Sequence, residues 1–149
     1  MISSRYAHTA TLLPDGRVIL AGGDYSSAAE IYQPNVLVPS PVLYSLPGGA
    51  QGAIWRSTSG EIASASSPAV AGEVLSMYTN NLIAGGVIPP QIVAGGRIAE
   101  VLYFGDAPGY SGTYQVNFRV PNAVPAGSAI RVRLSYLERS SNEVVMAIR

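Results

Sequence analysis

The amino-acid sequence predicts an all-β protein in which a two-layer sandwich follows a hairpin-based three-strand element. The chain has 16 glycines and 11 prolines among 149 residues, and only 12% of its residues are charged. This composition is typical of many short strands joined by tight turns. From residue 68 onward apolar and polar residues alternate in short runs, which is the pattern of half-buried strands. Helix signals are weak, because no apolar stripe with helical spacing persists for three turns.

The first predicted element occupies residues 1–34 and is a hairpin with a third strand. In the turn Pro14-Asp15-Gly16 the Asp15 side chain is expected to satisfy local backbone donors, and Gly22-Gly23 ends the second strand. Pro34 ends the third strand, because proline cannot donate a hydrogen bond to a sheet. The three strand-prone runs are HTATLL at 8–13, RVILA at 17–21 and AAEIY at 28–32.

Residues 35–67 are rich in Pro, Gly and Ser and are predicted to form an extended linker with short strands. Val42–Ser45 and Ala53–Arg56 are the candidate strands. Trp55, the single tryptophan, is expected to close one end of a core. The polar run STSGEIASASS predicts a boundary, which leaves residues 68–149 as the last domain.

Six strands are predicted within residues 68–149, separated by Gly, Pro and Asn turns. Two of them alternate clearly, since residues 114–120 place Tyr, Val, Phe and Val on one face and residues 130–136 place Ile, Val, Leu and Tyr on one face. Six or seven strands with such turns are the pattern of a β-sandwich. The predicted strands are Glu73–Thr79, Pro89–Ala94, Ile98–Phe104, Tyr114–Val120, Ile130–Leu137 and Glu143–Ile148.

Composition excludes several classes of function. The formal net charge is zero, so the chain lacks the basic footprint that nucleic-acid binding normally needs. The absence of cysteine removes disulfides, zinc–thiolate sites and thiol nucleophiles. No window approaches 18 apolar residues, so we expect no membrane span. The N-terminus lacks the apolar segment of a signal peptide, so the chain is either cytoplasmic or, as we favour, the C-terminal part of a longer exported protein, extracellular or in the cell envelope.

The N-terminal run HTATLLPDGRVILAGG followed by AAEIY resembles a kelch propeller repeat. The Gly-Gly pair after an apolar strand and the acidic-aromatic end of the next strand are hallmarks of that repeat. The resemblance implies a propeller blade, and a single blade cannot bury its own faces. We therefore expect a truncated or C-terminal piece, a hairpin docked on the next domain, or blades supplied by other chains. If its edge is uncovered, the N-terminal hairpin is expected to self-associate.

Residues 68–149 resemble bacterial immunoglobulin-fold C-terminal domains of the IPT/TIG type, of the kind found in exported acidobacterial proteins. The resemblance implies an immunoglobulin-like β-sandwich that serves as a spacer or surface module. The matching segments are AGEVLSMYTNNL at 71–82, AGGRIAEVLY at 94–103, YQVNFRVP at 114–121 and SNEVV at 141–145.

A kelch blade before such a sandwich is also similar to the C-terminal part of galactose oxidase and its relatives, which are copper radical enzymes. In that family a tyrosine directly precedes the histidine of the matching stretch, whereas here Ala7 precedes His8 and Tyr6 lies one place off. The chain has one histidine and no cysteine, so the copper chemistry of the family cannot be assembled within it. His8 is interpreted as a structural residue at the start of a strand. Asp24 matches no metal loop, and we expect no metal site or cofactor.

The connection YFGDAPGYSGTY between two predicted strands is the candidate binding loop. Aromatic faces beside hydrogen-bonding groups are a common way to hold sugar rings, so Tyr103, Asp106, Tyr110 and Tyr114 form a candidate glycan platform. The alternative is that Tyr103 or Phe104 and Tyr114 belong to the core while Tyr110 pins the loop.

These observations predict a protein that is not an enzyme. The leading hypothesis is a structural or adhesive module of an exported or cell-surface bacterial protein, whose partner is a polysaccharide or another surface protein. One alternative is a carbohydrate-binding module that uses the loop at 103–114. A further alternative is a fragment of a copper oxidase-like enzyme that lacks its site.

Overall fold

The structure, a computed structural model, describes residues 5–13, 17–23, 27–32, 39–83 and 85–149. These residues form eleven β-strands and no helix, so the all-β fold class predicted from the sequence is confirmed. The described residues therefore contain no helix that is long and apolar enough to cross a membrane. The chain divides into two compact units, residues 1–37 and 38–149.

The first unit is a three-stranded antiparallel sheet. Its strands are β1 (Thr9–Leu12), β2 (Val18–Ala21) and β3 (Ala29–Tyr32), and β2 lies in the centre. Leu20 on the central strand is buried, whereas β1 is exposed along its whole length. Within the described residues β1 and β3 each pair only with β2. Asp15, predicted as a turn residue, and Asp24, considered as a metal ligand, lie outside the described part of the chain.

A buried arginine supports this sheet. Nη1 of Arg5 donates to the carbonyl oxygens of Gly22 and Ala28, each at 3.1 Å. Nη2 of Arg5 lies 3.6 Å from Oε2 of Glu30, and the two side chains are only 6% and 10% exposed. The N-terminal chain is therefore tied to the ends of β2 and β3 by a charged group that is largely shielded from water.

Steric constraints in this unit explain the presence of the Gly22-Gly23 pair. Gly23 has φ +88°, and a Cβ atom there would lie 2.5 Å from the Tyr6 carbonyl oxygen and 3.2 Å from the His8 nitrogen. Only glycine adopts this backbone conformation without strain and also permits such a close approach of two chain segments. The sequence pattern Gly-Gly thus marks the place where the N-terminal segment crosses the end of β2.

The second unit is one continuous curled sheet of eight antiparallel strands. From one edge to the other the strands follow the order β10-β9-β6-β7-β8-β5-β4, and β11 pairs with β9 beside β10. The strands are β4 (Ile54–Arg56), β5 (Val74–Thr79), β6 (Gln91–Ala94), β7 (Arg97–Asp106), β8 (Tyr114–Arg119), β9 (Gly127–Tyr136), β10 (Arg139–Ser140) and β11 (Val144–Ile148).

The long strand β7 connects the two layers of this sandwich-like unit. Its first part, through Ala99, pairs with β6, and its second part, from Glu100 onward, pairs with β8. The register shifts between Val101 and Tyr103, which marks a bulge. Bulges bend a strand and increase its twist. This one lies next to the point where β7 changes its partner from β6 to β8.

Residues from both layers form one hydrophobic core. The predicted alternation holds in two strands: Val116 and Phe118 on β8, and Val132 and Leu134 on β9, are fully buried. Tyr136 continues the inward face of β9 and is 2% exposed. The intervening residues of β8 therefore face outward and are free to form a surface.

The described part of the segment 35–67 packs as part of the second unit rather than only connecting two domains. Leu43, Ile54 and Ala63 are buried in its core, and the Gly52 amide donates to the Val145 carbonyl oxygen at 2.8 Å. The apolar residues between the prolines and glycines are too widely spaced for a periodic pattern, so the sequence did not reveal this packing.

The prediction for Trp55 is wrong. Trp55 is half-buried and pairs with Ser76 on the outer face of the sheet, while its neighbour Ile54 enters the core. Successive residues of a strand point to opposite faces, so only one of the two could be buried.

Candidate functional site

Two consecutive β-turns build the loop between β7 and β8. The Tyr110 amide donates to the Ala107 carbonyl oxygen at 3.1 Å, and the Thr113 amide donates to the Tyr110 carbonyl oxygen at 3.2 Å. The third residue of each turn is a glycine, Gly109 or Gly112, with φ of +81° or +74°. A positive φ at this position is the requirement of type II turns, so the sequence Ala-Pro-Gly-Tyr-Ser-Gly-Thr specifies the loop locally.

The base of the loop is fixed to the sandwich. The Ala107 amide donates to the Thr113 carbonyl oxygen at 2.9 Å, and Ala107 is only 4% exposed. The Thr113 hydroxyl lies 3.3 Å from the Tyr44 hydroxyl. Tyr110, at the junction of the two turns, is 68% exposed. The loop therefore presents Tyr110 to solvent from a hydrogen-bonded frame.

Asp106, Tyr110 and Tyr114 line one pocket of about 560 Å³. Small residues complete its wall, namely Ala107, Gly109, Ser111 and Gly112. The volume is in the range of small-ligand sites, and the lining combines two aromatic rings with a carboxylate and a hydroxyl. Rings supply flat apolar surface and the polar groups supply hydrogen bonds, which together suit a sugar.

Tyr114 connects this pocket to the core. It is half-buried and packs against the core cluster. Burial raises the pKa of the core residue Tyr136 above its ordinary value of 10.0. A hydrogen bond with the Ile83 backbone lowers this pKa, and electrostatic interaction with Tyr114 raises it. Tyr114 is thus a fixed wall of the pocket, whereas Tyr110 is its exposed rim.

Tyr103, the fourth residue predicted for this platform, lies on the other face of β7. It pairs with Asn117, whereas Phe104 pairs with Val116 and packs against the core. The Tyr103 hydroxyl donates to the Asp106 carbonyl oxygen at 3.2 Å. The structure therefore brings together three of the four predicted residues and places Tyr103 on the outer surface of the sheet.

A polar network on that outer surface was missed in the sequence. Ser76 donates to Oδ1 of Asn117 at 2.8 Å, and Nε2 of Gln115 donates to the same oxygen at 2.8 Å. The Ser57 hydroxyl lies 2.9 Å from that of Ser76. A groove of about 300 Å³ adjoins the network, lined by Trp55, Arg56, Ser57, Gly60, Ser76, Tyr78 and Gln115. The polar positions of β8 could signal this surface, but the neighbouring strands could not be identified from sequence.

His8 is half-buried, and its Nδ1 atom is shielded from solvent with no hydrogen-bond partner in the described part of the chain. Within the same residues no group of three or more His, Cys, Asp or Glu side chains has the arrangement of a metal site.

No family model, no curated protein and no solved structure matches this chain. The kelch and IPT/TIG resemblances therefore stay predictions, and function is argued from the residues themselves.

Proposed function

We propose that this chain is a non-catalytic adhesive module of an exported or cell-surface bacterial protein that binds polysaccharide at the loop between β7 and β8. The observation that carries the proposal is the position of Tyr110, 68% exposed on a hydrogen-bonded double turn beside Asp106 and Tyr114.

The chemistry of the pocket supports a sugar as its ligand. A tyrosine ring has few rotatable bonds and a large flat face, so it loses little conformational entropy when it packs on a sugar ring. The Asp106 carboxylate accepts hydrogen bonds from hydroxyl groups. The pocket is open, so internal units of a long polymer would have access as well as its ends.

The rigidity of the loop bears on affinity. Both turns are closed by backbone hydrogen bonds, and the Ala107–Thr113 pair closes the base. A loop that is ordered before binding avoids the entropy cost of ordering upon binding. An adhesive role for a surface module suits a preformed site of this kind.

The test is depletion of the purified chain by insoluble cellulose, chitin, xylan and peptidoglycan, with and without calcium. One polymer is expected to deplete the wild-type protein, and Tyr110→Ala is expected to lose this retention. Because Tyr110 is exposed, the free energy of unfolding of Tyr110→Ala should stay within about 0.5 kcal/mol of the wild type.

Two controls make the test specific. Tyr110→Phe keeps the ring and should retain most of the binding. Tyr6→Ala removes a tyrosine of equal exposure, 69%, in the first unit and should bind like the wild type. Retention that survives Tyr110→Ala would refute the loop as the binding site, and no depletion by any polymer would leave a structural module.

A further inference from the structure

The outer face of the strands β4, β5, β8 and β7 carries a row of paired side chains. Trp55 pairs with Ser76, Ser76 with Asn117, and Asn117 with Tyr103. Paired residues of neighbouring strands share a face. Three strand spacings separate the two aromatic ends of the row, a distance of ~14 Å. The row thus has an aromatic ring at each end and the half-buried amide of Asn117 between them. Ser76 is only 4% exposed and serves to hold that amide by a hydrogen bond.

Tyr103 lies flat on this face because Gly105 makes room for it. A Cβ atom on Gly105 would lie 2.8 Å from the Tyr103 hydroxyl oxygen and 3.2 Å from Cζ. The hydroxyl is held by its bond to the Asp106 carbonyl oxygen, 3.2 Å away. The ring therefore runs along β7 instead of projecting from it, and Tyr103 remains 43% exposed. A fixed ring with an open face is a preformed stacking surface.

The amide groups beside this ring have fixed orientations. Oδ1 of Asn117 accepts from both Ser76 and Gln115, each at 2.8 Å. Since Ser76 gives its one hydroxyl proton to Asn117, Ser57 must donate to Ser76. Within the described structure the Asn117 NH₂ group and the Gln115 carbonyl oxygen have no protein partner. These two half-buried side chains thus offer one amide donor and one amide acceptor to a ligand on this face.

Charge on this face is low. No side chain is charged at neutral pH in the row from Trp55 to Tyr103 or in the neighbouring pair Tyr78 and Gln115. In the next row, Arg119 and Glu100 neutralise each other through a 2.8 Å ion pair. Arg56, which lines the groove beside Trp55, is paired with Glu73 at 2.7 Å. A neutral ligand rich in hydroxyl groups therefore suits this face.

We infer that the outer sheet face is a second binding site, which takes a neutral oligosaccharide along the row from Tyr103 to Trp55. Adjacent hydroxyl groups of a sugar both donate and accept, which matches the Asn117 NH₂ group and the Gln115 carbonyl oxygen. One sugar ring stacks on Tyr103, and the rest of the oligosaccharide continues toward the groove beside Trp55. This site lies on the opposite side of β7 from the Tyr110 pocket and does not depend on it.

Trp55 supplies a direct readout, because it is the only tryptophan of the chain. The experiment is a fluorescence titration of the full chain with cellohexaose, xylohexaose and mannohexaose, with affinity confirmed by calorimetry. At least one of these neutral sugars is expected to shift the Trp55 emission in a saturable manner. Tyr103→Ala is expected to weaken that binding about tenfold through the loss of the stacking surface.

Three variants separate this site from the loop pocket. Tyr103→Phe keeps the ring and should bind within about twofold of the wild type, and Tyr110→Ala should leave the Trp55 response unchanged. If Tyr110→Ala abolishes the response while Tyr103→Ala preserves it, the sheet site is refuted and the loop proposal stands. A wild-type chain whose Trp55 emission responds to none of the three sugars would also overturn the sheet site, whatever the polymer depletion shows.

Discussion

Replacement of Arg56 by methionine should destabilise the second unit strongly, because this arginine ties β4 to the segment that precedes β5. Nε of Arg56 lies 2.7 Å from Oε1 of Glu73. The guanidinium also donates to the Ser67 hydroxyl and carbonyl oxygens, each at 3.0 Å, and to the Pro68 carbonyl oxygen at 2.8 Å. The side chains of Arg56 and Glu73 are only 13% and 22% exposed.

The expected loss follows from these contacts. A hydrogen bond to a charged group contributes about 1.5–3 kcal/mol, and removal of one partner of a buried pair costs about 3–5 kcal/mol. Because Ser67 and Pro68 are half-buried, water can reach part of the vacated groups, so the loss should lie near the lower limit, about 3 kcal/mol. Arg56→Lys should lose somewhat less because it keeps the positive charge beside Glu73. It should still be less stable than the wild type, because an ammonium group cannot reproduce the planar fork of donors.

Urea unfolding monitored by circular dichroism measures this loss, and Arg119→Met is the matched control. Arg119 forms an ion pair of similar length, 2.8 Å, with Glu100, but the two side chains are 45% and 61% exposed. Exposed pairs contribute about 0–1 kcal/mol, so the control should lose no more than that. Equal losses in Arg56→Met and Arg119→Met would refute the role assigned to burial here.

Two further predictions concern the buried Tyr136 and the N-terminal sheet. Burial raises the pKa of Tyr136, so above pH 10.0 the unfolded chain loses a proton that the folded chain keeps, and stability falls as pH rises through that region. The Tyr136→Phe variant should show a shallower fall between about pH 9 and pH 11, and an unchanged slope would contradict the assignment. Gly23→Ala should cost more than the about 1–2 kcal/mol of a left-handed residue, because its Cβ would collide with the Tyr6 carbonyl oxygen. Hydrogen exchange should then accelerate in β1–β3 while Gly96→Ala, whose Cβ would meet nothing within 4 Å, leaves that sheet protected.

Local patterns explain why much of the second unit could be predicted. Six predicted strands overlap β5, β6, β7, β8, β9 and β11. In β8 and β9 the period-two alternation is the reason, because each of these strands buries one face against the core. The loop was also predictable, since Pro-Gly and Ser-Gly specify its two turns. Such signals need no knowledge of which strands are neighbours.

Two features of the candidate sites depend on long-range register and were missed. The sequence ended the strand at Phe104, whereas β7 continues to Asp106, so Tyr103 and Asp106 point to opposite faces. The outer row requires Trp55 and Tyr103, which are distant in sequence, to lie on the same face of one sheet. Nothing local to either residue specifies that placement.

The most direct test of the central proposal is an amide NMR titration of the wild-type chain with soluble fragments of whichever polymer depletes it. The proposal predicts saturable chemical-shift changes at the amides of Tyr110 and Gly112, with affinities that match the retention of the chain by the polymer. Saturable changes elsewhere, with residues 106–114 unchanged throughout, would contradict a polysaccharide site on this loop.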